Sequence, residues 1–329
     1  MAQMLIEGLG SLSRYPEFLE TFKVSRPLLV GGRRHRETIA AAAYFSGYHP
    51  NPDLSDALAG AERFNAHHCD CLISIGGGSA IDTAKAIKHH LGLNDLPHLA
   101  IPTTAGTGAE TTRYAVVYVD NKKTSLDFDH LTPDAALLDG ELLASLPVYH
   151  KHSCLVDALA QGIESYWAKA STDETRPIAA RGIQAVMEHL EPYLAGEHLQ
   201  EMLKASYLCG QSIQLTRTTA PHAMSYALAK GYDIAHGHAV GLTLPWVWRA
   251  MAAHPQMQQV LTALEKLTGG PDALESLMHR LGLEAPQVSE KDLDTLAASV
   301  NPLRMSNHPV SLTSQELRHI YAQALGLEA

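Results

Sequence analysis

No run of about 18 apolar residues occurs in the 329-residue chain, so no membrane-spanning helix is expected. Positive charge is in deficit. Twenty-five Lys and Arg stand against 35 Asp and Glu, a formal charge of −10. That balance argues against nucleic acid or an anionic membrane as a partner. Cysteine is sparse too: Cys69, Cys71, Cys154 and Cys209 fit reduced thiols better than a disulfide framework. Cys69-x-Cys71 lacks the spacing of a redox or zinc CxxC pair. The opening residues, MAQMLIEGLGSLSRYPEF, show no basic stretch followed by an apolar one, so a cytoplasmic location is expected. Repeats, low-complexity tracts and long linkers are missing. What remains is an ordinary globular composition, 46% apolar and 18% charged, long enough for two cores.

The most informative stretch is Ile73–Lys85, ISIGGGSAIDTAK. An apolar strand ends in Gly76-Gly77-Gly78-Ser79, and a helical segment with Asp82 and Lys85 follows. Glycines let the backbone approach a ligand closely. The helix start then offers free N–H groups and a positive dipole end, the arrangement that holds a phosphate. It matches neither GxGxxG nor the P-loop, and alone it could be a plain connection. A second loop, IPTTAGTGAE (Ile101–Glu110), supplies hydroxyls and bare backbone after another strand.

The first 140 residues alternate. Strands are expected at Pro27–Val30, Cys71–Ile75, His98–Ile101, Val116–Val119 and Ala136–Leu138, and helices at Thr38–Phe45, Leu54–His67 and Ser79–Leu91. This rhythm predicts an α/β domain with a parallel sheet, its ligands beyond the C-terminal strand ends. From about Lys151 the periodicity is helical: His152–Trp167, Ile178–Tyr193, Glu201–Leu215, Val240–Met251, Met257–Leu267 and Gln315–Leu325. The expected division is therefore 1–150, a dinucleotide-binding α/β domain, and 151–329, an all-α domain for metal and substrate.

Within DALAQGIESYW, Asp157, Gln161 and Glu164 share one helix face. Within TTAPHAMSYALAKGYDIAHGHAV, His222 and His236 flank a turn at Gly231. Each alone reads most simply as a surface or core residue. Together, a carboxylate and two imidazoles suit Fe²⁺ or Zn²⁺ with an open position. His238 stands open as ligand, proton relay or bystander.

These segments together resemble the iron-containing (group III) alcohol dehydrogenase family, over nearly the whole chain. The resemblance implies a dinucleotide domain and a helical domain of the kind also seen in dehydroquinate synthase, enclosing a cleft where NAD(P)(H) and a metal meet. Alcohols and aldehydes or ketones would be interconverted there. It implies Asp157, His222 and His236 as metal ligands and Gly76, Gly77, Gly78, Ser79 and Asp82 at the cofactor pyrophosphate. Thr103, Thr104 and Thr107 would line its path, with Lys123 near the ribose. Two positions depart from the family pattern. Gln161 stands where a histidine ligand is usual, and Tyr226 where many relatives carry a second histidine. Tyr226, His238 or water would then pass the proton to the alkoxide, unless Tyr226 simply packs. A homodimer or higher assembly is also implied.

DALAQGIESYW with TTAPHAMSYAL, HGHAVGLTLP and VNPLRMSNHPVSLT resembles a subgroup assigned to the reduction of phosphonoacetaldehyde to 2-hydroxyethylphosphonate. A phosphonate calls for a guanidinium, and Arg113 and Arg217 are the candidates. Aligning LLVGGRR on the family pattern puts Gly32 where NAD enzymes carry an acidic residue, followed by Arg33 and Arg34. That favours NADP(H) over NAD(H). Two rivals remain: a lyase or cyclase of the dehydroquinate synthase kind, and a nucleotide-binding protein whose metal site has decayed.

Overall fold

The computed structural model describes residues 3–50, 52–119 and 122–327, without the side chains of Lys122 and Lys123. The chain separates into two compact units, Met1–Leu146 with Ala195–Tyr207, and Pro147–Leu194 with Leu208–Ala329. The division is not a single cut near residue 150, because Ala195–Tyr207 groups with the first unit.

The first unit holds a six-stranded sheet of β1 (Met4–Glu7), β2 (Pro27–Gly31), β3 (Ala43–Phe45), β4 (Cys71–Gly76), β5 (His98–Pro102) and β8 (Ala135–Leu138). A separate antiparallel hairpin pairs β6 (Tyr114–Val119) with β7 (Lys122–Asp127). The sheet order is β1-β8-β5-β4-β2-β3, and every pairing is parallel. β2, β5 and β8 are buried at every residue. A strand covered on both faces is mostly apolar, which is why these read as hydrophobic runs, and the buried His98 that opens β5 bonds Ser74 Oγ at 2.8 Å. Alternation then sorts them. Leu28, Val30 and Leu72 face one core with Phe64 and Ile87, whereas Leu29, Ile73 and Ile75 face another with Phe18, Leu99 and Ile101.

The first unit's helices are α1 (Pro16–Phe22), α2 (Leu54–Ala66) and α3 (Gly78–Leu91). Asp53 and Asp56 form a capping box at the start of α2. Two expectations fail here. Thr38–Phe45 is not a helix: Ala42 N bonds Pro27 O, and Ala43–Phe45 becomes an edge strand on β2. Pairing with a neighbour overrides the helical preference of four alanines. Val116–Val119 is a strand, but of the hairpin rather than the sheet. β1 was not expected at all; its partner β8 lies about 130 residues away in sequence.

Then follow α4 (Val148–Trp167), α5 (Arg176–Leu194), α6 (Leu199–Thr216), α7 (Ala220–Gly231), α8 (His236–Ala252), α9 (Gln258–Thr268), α10 (Gly270–Arg280), α11 (Glu290–Ser299), the short α12 (Pro302–Met305) and α13 (Ser314–Ala324). In the second unit every residue of α4 from Leu155 to Ser165 is buried, so α4 is that unit's central helix. It packs against α5, α8 and α9. No helix among the described residues is long and apolar enough to cross a membrane.

Candidate metal centre and nucleotide cradle

In the first unit the sheet register aligns three loops at one edge. Gly31 stands opposite Ile75, and Gly76 opposite Pro102, so the segments after β2, β4 and β5 leave the sheet side by side. Gly76 has φ +156°, and a Cβ there would lie 2.7 Å from that of Ala80. Gly77 precedes α3 with no side-chain cap, which leaves the first helical N–H groups to another partner. The second loop closes on the first. Thr103 N donates to Gly76 O at 3.0 Å. A Cβ on Gly78 would meet Thr107 Oγ1 at 3.0 Å, and one on Gly77 would meet Thr104 Oγ1 at 3.5 Å. Thr104 and Thr107 are half-buried, whereas Thr103 is buried.

Several residues expected at the cofactor do other work. Asp82 Oδ2 accepts from Val116 N at 3.0 Å, fastening the hairpin to α3. A carboxylate would also repel a pyrophosphate, so the pyrophosphate role does not suit it. Lys85 is fully buried, and its Nζ donates to the carbonyls of Thr112 (2.6 Å) and Tyr114 (2.7 Å). Burial lowers its ammonium to about 8 against the opposing pull of Asp82 and Glu110. Asp82 and Lys85 thus hold the threonine loop and the hairpin against α3. Ser79 Oγ donates to the Pro50 carbonyl. Gly32 is extended ahead of a short 3-10 turn in which Arg33 and Arg34 are exposed; Arg34 Nη1 reaches Ser145 Oγ at 3.0 Å. Lys123 lies opposite Tyr118 in the hairpin, and its side chain is outside the described ones. Gly76→Ala should weaken dinucleotide binding about tenfold or more, because a conformation open mainly to glycine must relax. Fluorescence titration measures this, and metal content should not change.

In the second unit α4, α7 and α8 bring together Asp157, His222 and His236. Their ligand atoms all lie within 4.8 Å of one another. His222 Nε2 is 3.2 Å and His236 Nε2 3.9 Å from Asp157 Oδ1. Donors on a tetrahedral ion with bonds of about 2.0–2.1 Å stand about 3.3–3.5 Å apart. Gln161 Oε1, one turn on, is buried with no hydrogen-bond partner, and Asp157 Oδ1 has only its ion-pair contacts to the two imidazoles. Buried oxygens left in this way ask for a partner. A borderline cation suits two imidazoles, a carboxylate and an amide oxygen, so the residues fit the group. His236 is 36% exposed, which leaves an open side.

Burial alone would raise the Asp157 carboxyl, but His236, His222 and the Gln161 amide hold it below the usual range. Burial would lower the His222 imidazolium, yet Glu164 and Asp157 raise it to about 9. Glu164, two turns beyond Asp157, anchors this arrangement. It bonds His222 Nδ1 and accepts from Thr219 N (2.6 Å) and Thr219 Oγ1 (2.8 Å). Trp167 Nε1 braces that threonine at 2.9 Å. The ring is thereby fixed with Nε2 toward Asp157. Glu164→Gln should therefore cost roughly 10- to 100-fold in metal affinity, read by competition with a chelator. Sequence reasoning placed Glu164 on the Asp157 face but gave it no task.

His236 Nδ1 contacts Ser225 Oγ at 3.3 Å. Its ring stacks on Tyr226, 5.7 Å between centroids and 4° between planes. Tyr226 Oη accepts from Arg304 Nη1 at 2.8 Å, an arginine the sequence reading missed. His238, by contrast, is committed elsewhere. Its Nε2 meets Glu284 O at 2.9 Å, and its Nδ1 meets Tyr149 Oη at 3.1 Å. Both nitrogens serve packing, so the geometry does not make it a proton relay. Arg113 is tied to Asp127 (2.7 Å) and Asp129 (2.9 Å), partners that neutralise the charge a phosphonate would need. Arg217 is exposed with φ +64°, just past the end of α6.

The family model described as "Iron-containing alcohol dehydrogenase" matches residues 2–140, and the C-terminal model of the same family matches residues 152–325. The phosphonoacetaldehyde reductase of Streptomyces viridochromogenes is 30% identical, across 85% of this chain and 82% of its own. The NAD-dependent methanol dehydrogenase of Bacillus methanolicus is 28% identical, across 88% and 86%. Among solved structures, sulfoacetaldehyde reductase from Bifidobacterium kashiwanohense in complex with NAD⁺ superposes with a TM-score of 0.88. It is 27% identical, with 99% of this chain and 98% of that one covered. An iron-containing alcohol dehydrogenase from Thermotoga maritima gives 0.88 at 26% identity over the same shares. With both halves matched, the chain belongs to the iron-containing alcohol dehydrogenase family and is an NAD(P)-dependent oxidoreductase acting on CH–OH groups.

Proposed function

We propose that this enzyme works as a metal-dependent aldehyde reductase, with NADPH preferred over NADH and phosphonoacetaldehyde or a similar short anionic aldehyde as substrate. The observation that carries the reading is the convergence of Asp157, His222 and His236, with Gln161 Oε1 buried and unpartnered one turn further along α4. A decayed site would have no reason to keep that convergence. When bound, a divalent cation polarises a carbonyl and the nicotinamide supplies a hydride. The chain's own part is to place them.

Asp157, His222 and His236 hold the ion, and the Gln161 amide oxygen completes the donor set. Glu164 keeps the His222 ring in register. Tyr226 Oη, receiving a hydrogen bond from Arg304, has its own hydrogen turned elsewhere and serves as proton donor beside His236. The glycine turn and the threonine loop take the pyrophosphate. Exposed Arg33 and Arg34 after Gly32 support a 2′-phosphate. The same relatives support a small-molecule substrate, and a cytoplasmic homo-oligomer goes with the reading.

Steady-state oxidation of NADPH and NADH with phosphonoacetaldehyde and propionaldehyde tests it, on metal-stripped enzyme and after Fe²⁺ or Zn²⁺ addition. Turnover should require metal and run faster with NADPH. A metal-loaded enzyme that consumes neither dinucleotide with any aldehyde refutes it.

A further inference from the structure

Arg304 comes from a stretch of sequence far from every ligand candidate, yet it stands against the ring that backs His236. Its Nη1 bonds Tyr226 Oη at 2.8 Å, and its guanidinium carbon lies 4.8 Å from the Tyr226 ring centroid. The Tyr226 ring runs parallel to the His236 imidazole at 5.7 Å. The guanidinium and a candidate ligand imidazole thus lie against the same Tyr226 ring.

The segment is fastened rather than loose. Asn301 caps α12 by accepting from Leu303 N at 2.9 Å. Asn307, just beyond, donates to the carbonyls of Thr216 (2.7 Å) and Thr218 (3.1 Å). Leu303 is 82% exposed and Arg304 half-buried, so the turn reaches solvent. Charge points the same way. With a divalent ion bound, the carboxylates of Asp157 and Glu164 cancel its charge, so the centre itself offers an anionic substituent no net attraction. A guanidinium with a fixed fork is the efficient counterweight, pairing an oxyanion through parallel N–H bonds.

We propose that Arg304 determines substrate choice, binding the oxyanion substituent (phosphonate or sulfonate) of a short aldehyde, while Tyr226 sets the position of the guanidinium. This rests on the aldehyde-reductase reading above. The test uses the metal-loaded enzyme and its Arg304→Met and Arg304→Lys variants, with phosphonoacetaldehyde, sulfoacetaldehyde and propionaldehyde as substrates. Arg304→Met should raise KM for the two anionic aldehydes about 10- to 100-fold, with a much smaller change in kcat. The ratio of kcat/KM for anionic over neutral aldehyde should fall accordingly. Arg304→Lys should recover part of the ratio, since it keeps charge but not the fork. Equal losses on all three aldehydes overturn the proposal, because they mark an arginine that only props Tyr226. No change on any of them overturns it as well.

Calorimetric titration with ethylphosphonate separates this from the parent reading. If the wild type reduces no aldehyde, the reductase assignment fails, but ethylphosphonate binding that Arg304→Met abolishes still supports the anion site. Absent binding, or equal binding by both, overturns it.

Discussion

His236→Ala should lower kcat/KM by about three orders of magnitude or more, since electrophilic polarisation by a metal contributes several kcal/mol to the transition state. The expectation is selective. His236 is the first residue of α8 and 36% exposed, so its removal strips no large apolar area from the core. Its loss takes one of three convergent donors and leaves Asp157 and His222 with the Gln161 amide oxygen, a weaker set. The nucleotide cradle is built from the other unit, so NADPH affinity should stay within a few-fold of the parent. Elemental analysis of the purified variant, with NADPH titration on the same sample, separates the two effects. A variant with full metal content and undiminished turnover would remove His236 from the ligand set.

The legible parts of this chain are those where one physical demand acts alone. β2, β4 and β5 are mostly apolar because they are covered on both faces, with buried Ser74 and His98 bonded to each other at 2.8 Å, and a run of that kind needs no partner to be recognised. β1 and β3 sit at the two ends of the sheet order, with four and three residues. Only pairing defines them, and their partners are invisible locally. Asp82 of the glycine motif reads as a pyrophosphate contact, yet it spends its carboxylate on the hairpin backbone, and Lys85 bonds the carbonyls of Thr112 and Tyr114. Spacing on a helix exposed Asp157, Gln161 and Glu164 as one face, but the bond from Glu164 to His222 needs α7 in place. His238 shows the opposite error. Motif position suggested chemistry, whereas its two nitrogens are held by Tyr149 and Glu284. Arg304 had no local signal, because its meaning depends on Tyr226, 78 residues earlier.

Gly237→Ala should also cost the enzyme its metal, though the residue carries no side chain at all. A Cβ at that position would lie 2.0 Å from Ser153 O and 2.7 Å from Asp157 Cβ. The obstacle is α4 backbone, which cannot rotate aside as a long side chain would. A Cβ at Gly241, one turn on, would meet side chains instead, Met278 Sδ at 2.5 Å and Val156 Cγ1 at 2.6 Å. The two glycines let α8 lie directly on the central helix, and Ser153 Oγ then accepts from His238 N at 3.0 Å, capping α8 from α4. An added methyl forces the helices apart at the very turn that joins His236 to Asp157. Overpacking of this kind costs about 1–3 kcal/mol of stability, measurable by urea unfolding. A displacement of about 1 Å at a reacting site costs about a hundredfold in rate. The variant should therefore fold, bind NADPH and lose metal together with about two orders of magnitude in kcat/KM. Gly237→Ala with normal metal content would mean that the ligand geometry does not depend on this close approach. The glycine between the two histidines of HGH thus belongs to the proposed metal site by its absence of volume.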